Sequence, residues 1–325
     1  MPTAIANRRA GARSLASIGP ALPSDSGAAP LSLRVQSVFR LAINLRVEGS
    51  EILASLSGPG AAGLPQALCL AAPEDFRDWG LEPGSSGEWG KGRLWLQSGS
   101  AAFDLDCSRA LRRPKAGLVR LASLGGAFIA CLEELARIQA SKATDLRIAS
   151  LIDRGAVAGG EEGGRGASTL LRGAALLGDW ALAAKGAALA PRPEPAVARL
   201  VGNGPGLTPA GDDFLSGFLG AAETAGFEGR GLGEAVLASL HRSTELSASL
   251  LRLATRGFFP EALASLGVGL SRGDRACAIL ALRELCSIGH SSGADLATGY
   301  IYGLSVLLAG GPSLCLVERR RLHAS

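Results

Sequence analysis

The spacing of apolar residues changes once along this chain, near Pro114, and that change restricts the fold more than any other feature. Before it lie short segments rich in β-branched and aromatic residues, at 33–39, 41–47, 51–56, 67–71, 93–96 and 101–105. Turn clusters such as Gly58-Pro59-Gly60 and Glu82-Pro83-Gly84-Ser85-Ser86-Gly87 separate them, the pattern of strands joined by tight turns. After it Leu118, Leu121, Leu124, Phe128, Cys131, Leu132 and Leu135 recur at intervals of three and four, one face of a long helix. Further helices are predicted over 168–185, 210–225, 232–256, 260–270, 275–288 and 293–308. The fold class that follows is α+β, with a mainly antiparallel β domain over 31–113 and a larger α-helical domain over 114–312. Residues 1–30, rich in Ala, Gly, Pro and Ser, are predicted as a poorly ordered extension with one short helix near 9–18, and 313–325 as a tail. A glycine-rich stretch over 155–166 and the prolines at 191, 193 and 195 mark breaks between helices.

At 325 residues the chain is long enough for two cores. Its apolar runs are too short or too interrupted to span a bilayer, so no membrane partner is expected. A net charge of +4 is spread over 33 basic and 29 acidic residues, with one compact basic run at Arg319–Arg321, and this excludes a nucleic-acid footprint. Six scattered cysteines form no Cys-x-x-Cys pair, which argues against a zinc ribbon and fits a reducing compartment. With no secretory pattern at the start, the expected location is cytoplasmic.

Two short segments carry the chemistry. Gly202-Asn203-Gly204-Pro205-Gly206-Leu207-Thr208-Pro209-Ala210-Gly211-Asp212-Asp213 opens an apolar helix. Thr208 suits the N-cap and Pro209 the first helical position. The glycines let backbone N–H groups approach a ligand closely, and a helix N-terminus fed by such a loop suits a phosphate or carboxylate. Asn203, Gly204, Gly206 and Thr208 are therefore candidate substrate contacts. Two adjacent carboxylates would repel an anion, and a divalent cation held by Asp212 and Asp213, Mg²⁺ first among them, would resolve the conflict. Alternatively one aspartate is a general base, or the acids only complement the helix dipole, worth about 0.3–1 kcal/mol. The loop is neither a Walker A motif nor a dinucleotide fingerprint.

The second segment, Gly289-His290-Ser291-Ser292-Gly293-Ala294-Asp295, repeats the idea of a polar glycine-bearing loop and a helix with an acid in its first turn. Ser292 and Asp295 form a capping pattern, and His290, Ser291, Ser292 and Asp295 are candidates for the same pocket. Gly299 and Gly303 would let another helix approach closely. Between the two segments, Thr244 and Ser247 set hydroxyls on one helical face, to line a polar pocket or to bond back to the helix carbonyls.

In order, residues 202–214, then Thr244 to Ala254 with Gly257-Phe258, then Ile288 to Asp295 resemble the motifs of the AllH-like family. Ser37-Val38-Phe39-Arg40 and Leu41-Ala42-Ile43-Asn44-Leu45 are similar to its N-terminal strand pair, and the resemblance runs from about Val35 to Leu308, leaving the first 30 or so residues outside it. It implies a subunit of oxamate carbamoyltransferase in allantoin or related ureide breakdown, working with other subunits of the complex. Oxalurate and phosphate would there be interconverted with oxamate and carbamoyl phosphate, both small anions. It further implies that Gly204, Gly206 and Thr208 cradle the anion, that Asp212 and Asp213 hold a cation or take a proton, and that His290, Ser291 and Asp295 complete the pocket. Two other functions fit the same loops: a noncatalytic ligand-binding or scaffold subunit, and a stand-alone metal-dependent phosphotransferase.

Overall fold

The computed structural model describes residues 13–23, 29–61, 63–99, 101–142, 144, 146–152, 165–186, 192–229 and 231–309. Most of the 155–166 stretch, Pro191, the basic run at Arg319–Arg321 and the 313–325 tail lie outside them. The chain divides into two compact units, Met1–Lys115 and Ala116–Ser325.

The first unit is a nine-stranded sheet. Its strands are β1 (Leu15–Ile18), β2 (Leu31–Val38), β3 (Ala42–Val47), β4 (Leu53–Ser57), β5 (Ala67–Leu70), β6 (Ser86–Gly90), β7 (Arg93–Ser98), β8 (Ala101–Asp106) and β9 (Leu111–Arg112). They run in the order β8-β7-β6-β2-β3-β4-β5-β1-β9. Pairing is antiparallel except for β4 with β5 and β1 with β9. The sheet curls until Ser14, just before β1, bridges Asp106 at the end of β8. Alternation sends Leu33 and Val35, Ile43, Leu45 and Val47, Leu68 and Leu70, and Leu94 and Leu96 to one face. There they enclose Phe76 and Trp79, which a short 3₁₀ turn supplies.

Two expectations change here. Residues 13–23 are part of the sheet: β1 buries Leu15 and Ile18, and the segment reaching Ile18 is strand rather than helix. The cluster ending at Gly87 runs into β6, which strand propensity hides. Gly87 lies against the Trp95 carbonyl and the Leu96 side chain, where a Cβ would stand 2.5 Å from the carbonyl oxygen and 2.6 Å from the leucine Cδ2.

The second unit is helical: α1 (Gly126–Ser141), α2 (Ile148–Ile152), α3 (Arg165–Gly186), α4 (Glu194–Leu200), α5 (Ala210–Ala225), α6 (Leu232–Ser239), α7 (Glu245–Thr255), α8 (Glu261–Ser271), α9 (Arg275–Cys286) and α10 (Ser292–Ala309). Two predicted helices are shorter than expected. Leu118, Leu121 and Leu124 precede α1, which starts only after Gly125; Leu121 is buried and donates its N–H to the Thr224 carbonyl. The 232–256 span is broken between α6 and α7, because Thr244 caps α7 by accepting the Ser247 N–H at 3.1 Å.

Helices α5 and α10 form the centre, and glycines set their distance. A Cβ on Gly217 would stand 2.0 Å from the Leu296 carbonyl oxygen, one on Gly299 1.9 Å from that of Phe214, and one on Gly303 2.6 Å from Ala221 Cβ. The Gly217 Cβ would also stand 2.7 Å from the Tyr300 nitrogen, so the contacts of Phe214 with Gly299, Gly217 with Tyr300 and Ala221 with Gly303 advance down both helices in the same sense: α5 and α10 run parallel, with both N-termini at one end. The close approach expected of Gly299 and Gly303 is thus present, and α5 is the helix they admit.

Candidate functional site

Both loops are built alike. In each, a helix ends, the chain turns through a left-handed glycine, and the next helix starts with Gly-x-Asp-x-x-x-Gly: Gly211, Asp213 and Gly217 in α5, Gly293, Asp295 and Gly299 in α10. The leading glycine packs on the preceding helix, since a Cβ on Gly211 would meet the Leu200 carbonyl oxygen at 2.1 Å and one on Gly293 that of Leu285 at 1.9 Å. The last glycine allows the reciprocal contact described above. This shared register places Asp213 and Asp295 in matching first turns at the end where the two helices converge.

The first loop is held from several sides. Gly202, Gly204 and Gly206 have φ of 73°, 122° and 93°, the left-handed side that glycine tolerates. Asn203 closes the base: its side-chain amide donates to the Arg199 carbonyl at 3.0 Å, and its own carbonyl accepts the Gly211 N–H at 2.9 Å. Leu207, 45% exposed, sits at the crest, its carbonyl accepting a hydrogen bond from the Thr244 hydroxyl. Among the described residues, none of the hydrogen bonds at this turn uses the N–H of Gly204, Gly206, Leu207 or Thr208. Thr208 does not cap α5; Pro209 takes the position before the helix. The Thr208 hydroxyl instead lies 2.6 Å from that of Ser292 and ties the two loops together.

The adjacent aspartates have different surroundings. Asp212 accepts the Gly202 N–H at 2.8 Å on one oxygen, and the hydroxyls of Ser247, at 2.7 Å, and Ser243 on the other. It staples the loop and the start of α7 to α5. Burial raises its pKa, opposed by those three donors. Asp213, 5% exposed, has one oxygen, Oδ2, without a hydrogen-bond partner among the described residues. Burial pushes its carboxyl well above the usual carboxylate range; the charge of Asp295 pushes it further, the Ser292 and Thr208 hydroxyls oppose this, and Asp212 adds a smaller upward effect. Asp295 is 1% exposed.

The second loop is organised differently from its sequence pattern. Ser292 begins α10, and it is the Ser291 carbonyl that accepts the Asp295 N–H, at 2.9 Å. His290 is exposed on the outer side of the loop, and its carbonyl accepts from Lys142 Nζ at 3.2 Å. The same ammonium bonds the Cys286 carbonyl at 2.7 Å, at the end of α9. The structure therefore gathers Thr208, Asp213, Ser292 and Asp295, assigns Asn203, Asp212, Thr244 and Ser247 to holding the loop, and leaves His290 outside the buried group. Sequence reasoning missed Lys142 and Ser243. The recurring Gly-x-Asp-x-x-x-Gly register was the signal for the pairing itself. Among the described residues no three His, Cys, Asp or Glu side chains gather as a metal-ligand group, and no helix is long and apolar enough to cross a membrane.

A curled antiparallel-rich sheet followed by a helical unit whose parallel central helices start side by side under two glycine loops defines an α+β protein with a candidate site for a small ligand. Residues 16–112 match the AllH family N-terminal domain, and residues 200–304 match the family described as oxamate carbamoyltransferase subunit AllH. The matches cover most of the chain, and it belongs to the AllH family. They also bring residues 16–30 into the family region, which the sequence resemblance had left outside. No solved structure matches the chain.

Proposed function

We propose that this chain is a subunit of a carbamoyltransferase and that the two loops over α5 and α10 receive a small anionic substrate, oxamate or carbamoyl phosphate. The observation that carries this reading is the parallel start of the two helices. Each N-terminus carries roughly half a positive charge, and here two of them act on one place instead of cancelling across an antiparallel pair. The N–H groups of Gly204, Gly206, Leu207 and Thr208 supply donors for an oxyanion. The family's description supplies the kind of substrate. In this reading Thr208 and Ser292 meet the ligand, Asp213 is the proton acceptor beneath them, and Asp212 keeps the loop in shape. The family's description as a subunit favours this over a phosphotransferase acting alone.

Thermal stabilisation by carbamoyl phosphate, oxamate, phosphate and ATP, each with and without Mg²⁺, tests the site. A ligand at about a hundred times its dissociation constant stabilises by about 2.7 kcal/mol. Stabilisation by oxamate or carbamoyl phosphate that weakens in Ser292→Ala supports the proposal, and a dependence on Mg²⁺ would bring the cation in with the phosphate. Stabilisation by ATP alone would favour the phosphotransferase, and no response to any of the four would favour a scaffold subunit.

A further inference from the structure

Both loops leave the C-terminus of a helix, α4 in one case and α9 in the other. A helix end carries roughly half a negative charge on its last carbonyls, so each loop brings that charge close to where the next helix offers its N–H groups. At the first loop the carbonyls are covered from within: Asn203 donates its N–H to the Leu200 carbonyl at 3.0 Å and its side-chain amide to that of Arg199 at 3.0 Å. In the second loop His290 follows the left-handed Gly289 as Asn203 follows Gly202, but its side chain is exposed. The cover comes instead from a residue far earlier in the chain. Lys142 donates from Nζ to the Cys286 carbonyl at 2.7 Å, at the end of α9, and to the His290 carbonyl at 3.2 Å, in the loop itself.

The fold holds Lys142 where it can do this. It directly follows α1, whose Glu134, buried, accepts from Arg283 Nε of α9 at 2.7 Å. Three residues before Lys142, the buried amide of Gln139 donates to the Thr298 hydroxyl of α10 at 2.7 Å. The end of α1 therefore grips both arms of this helical hairpin, α10 through Gln139 and α9 with its loop through Lys142. Bonded to one carbonyl on either side of the turn at Gly289, the ammonium fixes the path by which the chain enters α10. It also sets a full positive charge against the negative end of α9, which would otherwise oppose an anion at the start of α10.

We propose that Lys142 is a positioning residue for the anion site: it clamps the second loop to α9 and so presents the N-terminus of α10 to the ligand. The role rests on the reading of the two loops as that site. Its bonds are to backbone carbonyls, so a change of this side chain takes away none of the groups that Thr208, Ser292 and the loop amides present.

The experiment compares three variants of the full chain, Lys142→Met, Lys142→Arg and Asp274→Ala, by isothermal titration with oxamate and with inorganic phosphate. Asp274 caps the opposite end of α9 by accepting the Cys277 N–H at 3.0 Å, so its loss weakens the same helix away from the loop. Lys142→Met should weaken binding of both anions by about tenfold, the low end of what loss of an orienting partner costs a site. Lys142→Arg, which keeps the charge and the donors, should recover most of that affinity, and Asp274→Ala should bind as wild type does. Hydrogen exchange reads the loop without any ligand, at the Gly293 and Asp295 amides, which are bonded to the Ile288 and Ser291 carbonyls at 3.0 and 2.9 Å. Exchange there should speed up in Lys142→Met and not in Asp274→Ala. Wild-type affinity in Lys142→Met overturns the positioning role while the anion site stands. An equal loss in Asp274→Ala overturns it too, since Lys142 would then act only as a helix cap. Should the wild type bind neither anion, the anion-site reading fails, and the exchange rates decide the clamp by themselves: unchanged rates at Gly293 and Asp295 refute it.

Discussion

The hydroxyl of Thr208 lies 2.6 Å from that of Ser292, 84 residues further along the chain. One residue ends the first loop and the other starts α10, so this bond joins two segments that meet only because α5 and α10 run parallel. A half-buried hydroxyl pair contributes about 1 kcal/mol net. Thr208→Val and Ser292→Ala should each cost about that much, and the double variant little more than either alone. A double-mutant cycle in urea gives the coupling, and full additivity would mean that the bond is not formed in solution.

Asp212 gives a sharper case, since its carboxylate satisfies three donors at once. Asp212→Ala should destabilise by about 3 kcal/mol, because the Gly202 N–H is left without its acceptor and a pocket opens beside two serines. Asp212→Asn keeps an oxygen for Gly202, and the serine hydroxyls can turn to accept from its amide, so about 1 kcal/mol is expected. Chemical denaturation ranks the two variants. A Gln139 substitution makes a useful comparison, because that amide likewise serves three partners, Leu146, Thr298 and Ile148.

How far the sequence leads depends on whether a feature is local. The bounds of α5 were readable, because Pro209 precedes it and Gly226 follows it in the left-handed conformation. The glycine loops and the acids that open both helices were also readable as candidates. What could not be read is which acid does what. Asp212 and Asp213 are neighbours with the same side chain, and only the helical turn of about 100° between them sends one to Ser243 and Ser247 and the other toward Asp295. Thr208 looked like a cap because caps are local, whereas its partner Ser292 is not. Strand β1 was hidden for a similar reason: Leu15 and Ile18 become core only once β5 and β9 lie on either side.

In the first unit, Arg13 anchors the entry to β1 by donating from Nε to Glu74 at 2.8 Å, with its guanidinium over the Trp79 ring. The arginine's hydrogen bond holds the Glu74 carboxyl below the usual range. A lowered acid contributes stability above its unfolded pKa, near 4.3, and loses it as pH falls through the folded value. Because both side chains are partly in solvent, the contribution should be about 0.5–1 kcal/mol. Arg13→Met should therefore lower stability near pH 7 and show a smaller further loss than wild type on acidification to pH 3. Equal pH profiles would remove the ion pair from the account and leave only packing.

The parallel helix pair stands or falls with Gly217 and Gly299. In an ordinary helix interior, Gly→Ala gains roughly 1 kcal/mol from backbone entropy. Here the new methyl would stand 2.0 Å from the Leu296 carbonyl oxygen in one case and 1.9 Å from that of Phe214 in the other, and backbone oxygens within helices cannot turn aside. Gly217→Ala and Gly299→Ala should each lose about 2 kcal/mol net, since overpacking of this kind typically costs 1–3 kcal/mol or more. Gly126→Ala, exposed at the start of α1 with nothing within 4 Å of its Cβ, should be neutral or slightly stabilising. Both central variants push on the same pair of helices, so once the axes have parted for one methyl the second needs less room, and the double variant should cost less than the sum. Parting the axes also separates the two N-termini, so stabilisation by oxamate should fall in either variant while Gly126→Ala retains it. A Gly299→Ala protein with unchanged stability and unchanged oxamate response would mean that the two helices are not packed through these glycines, and the convergence of their N-termini would lose its structural basis.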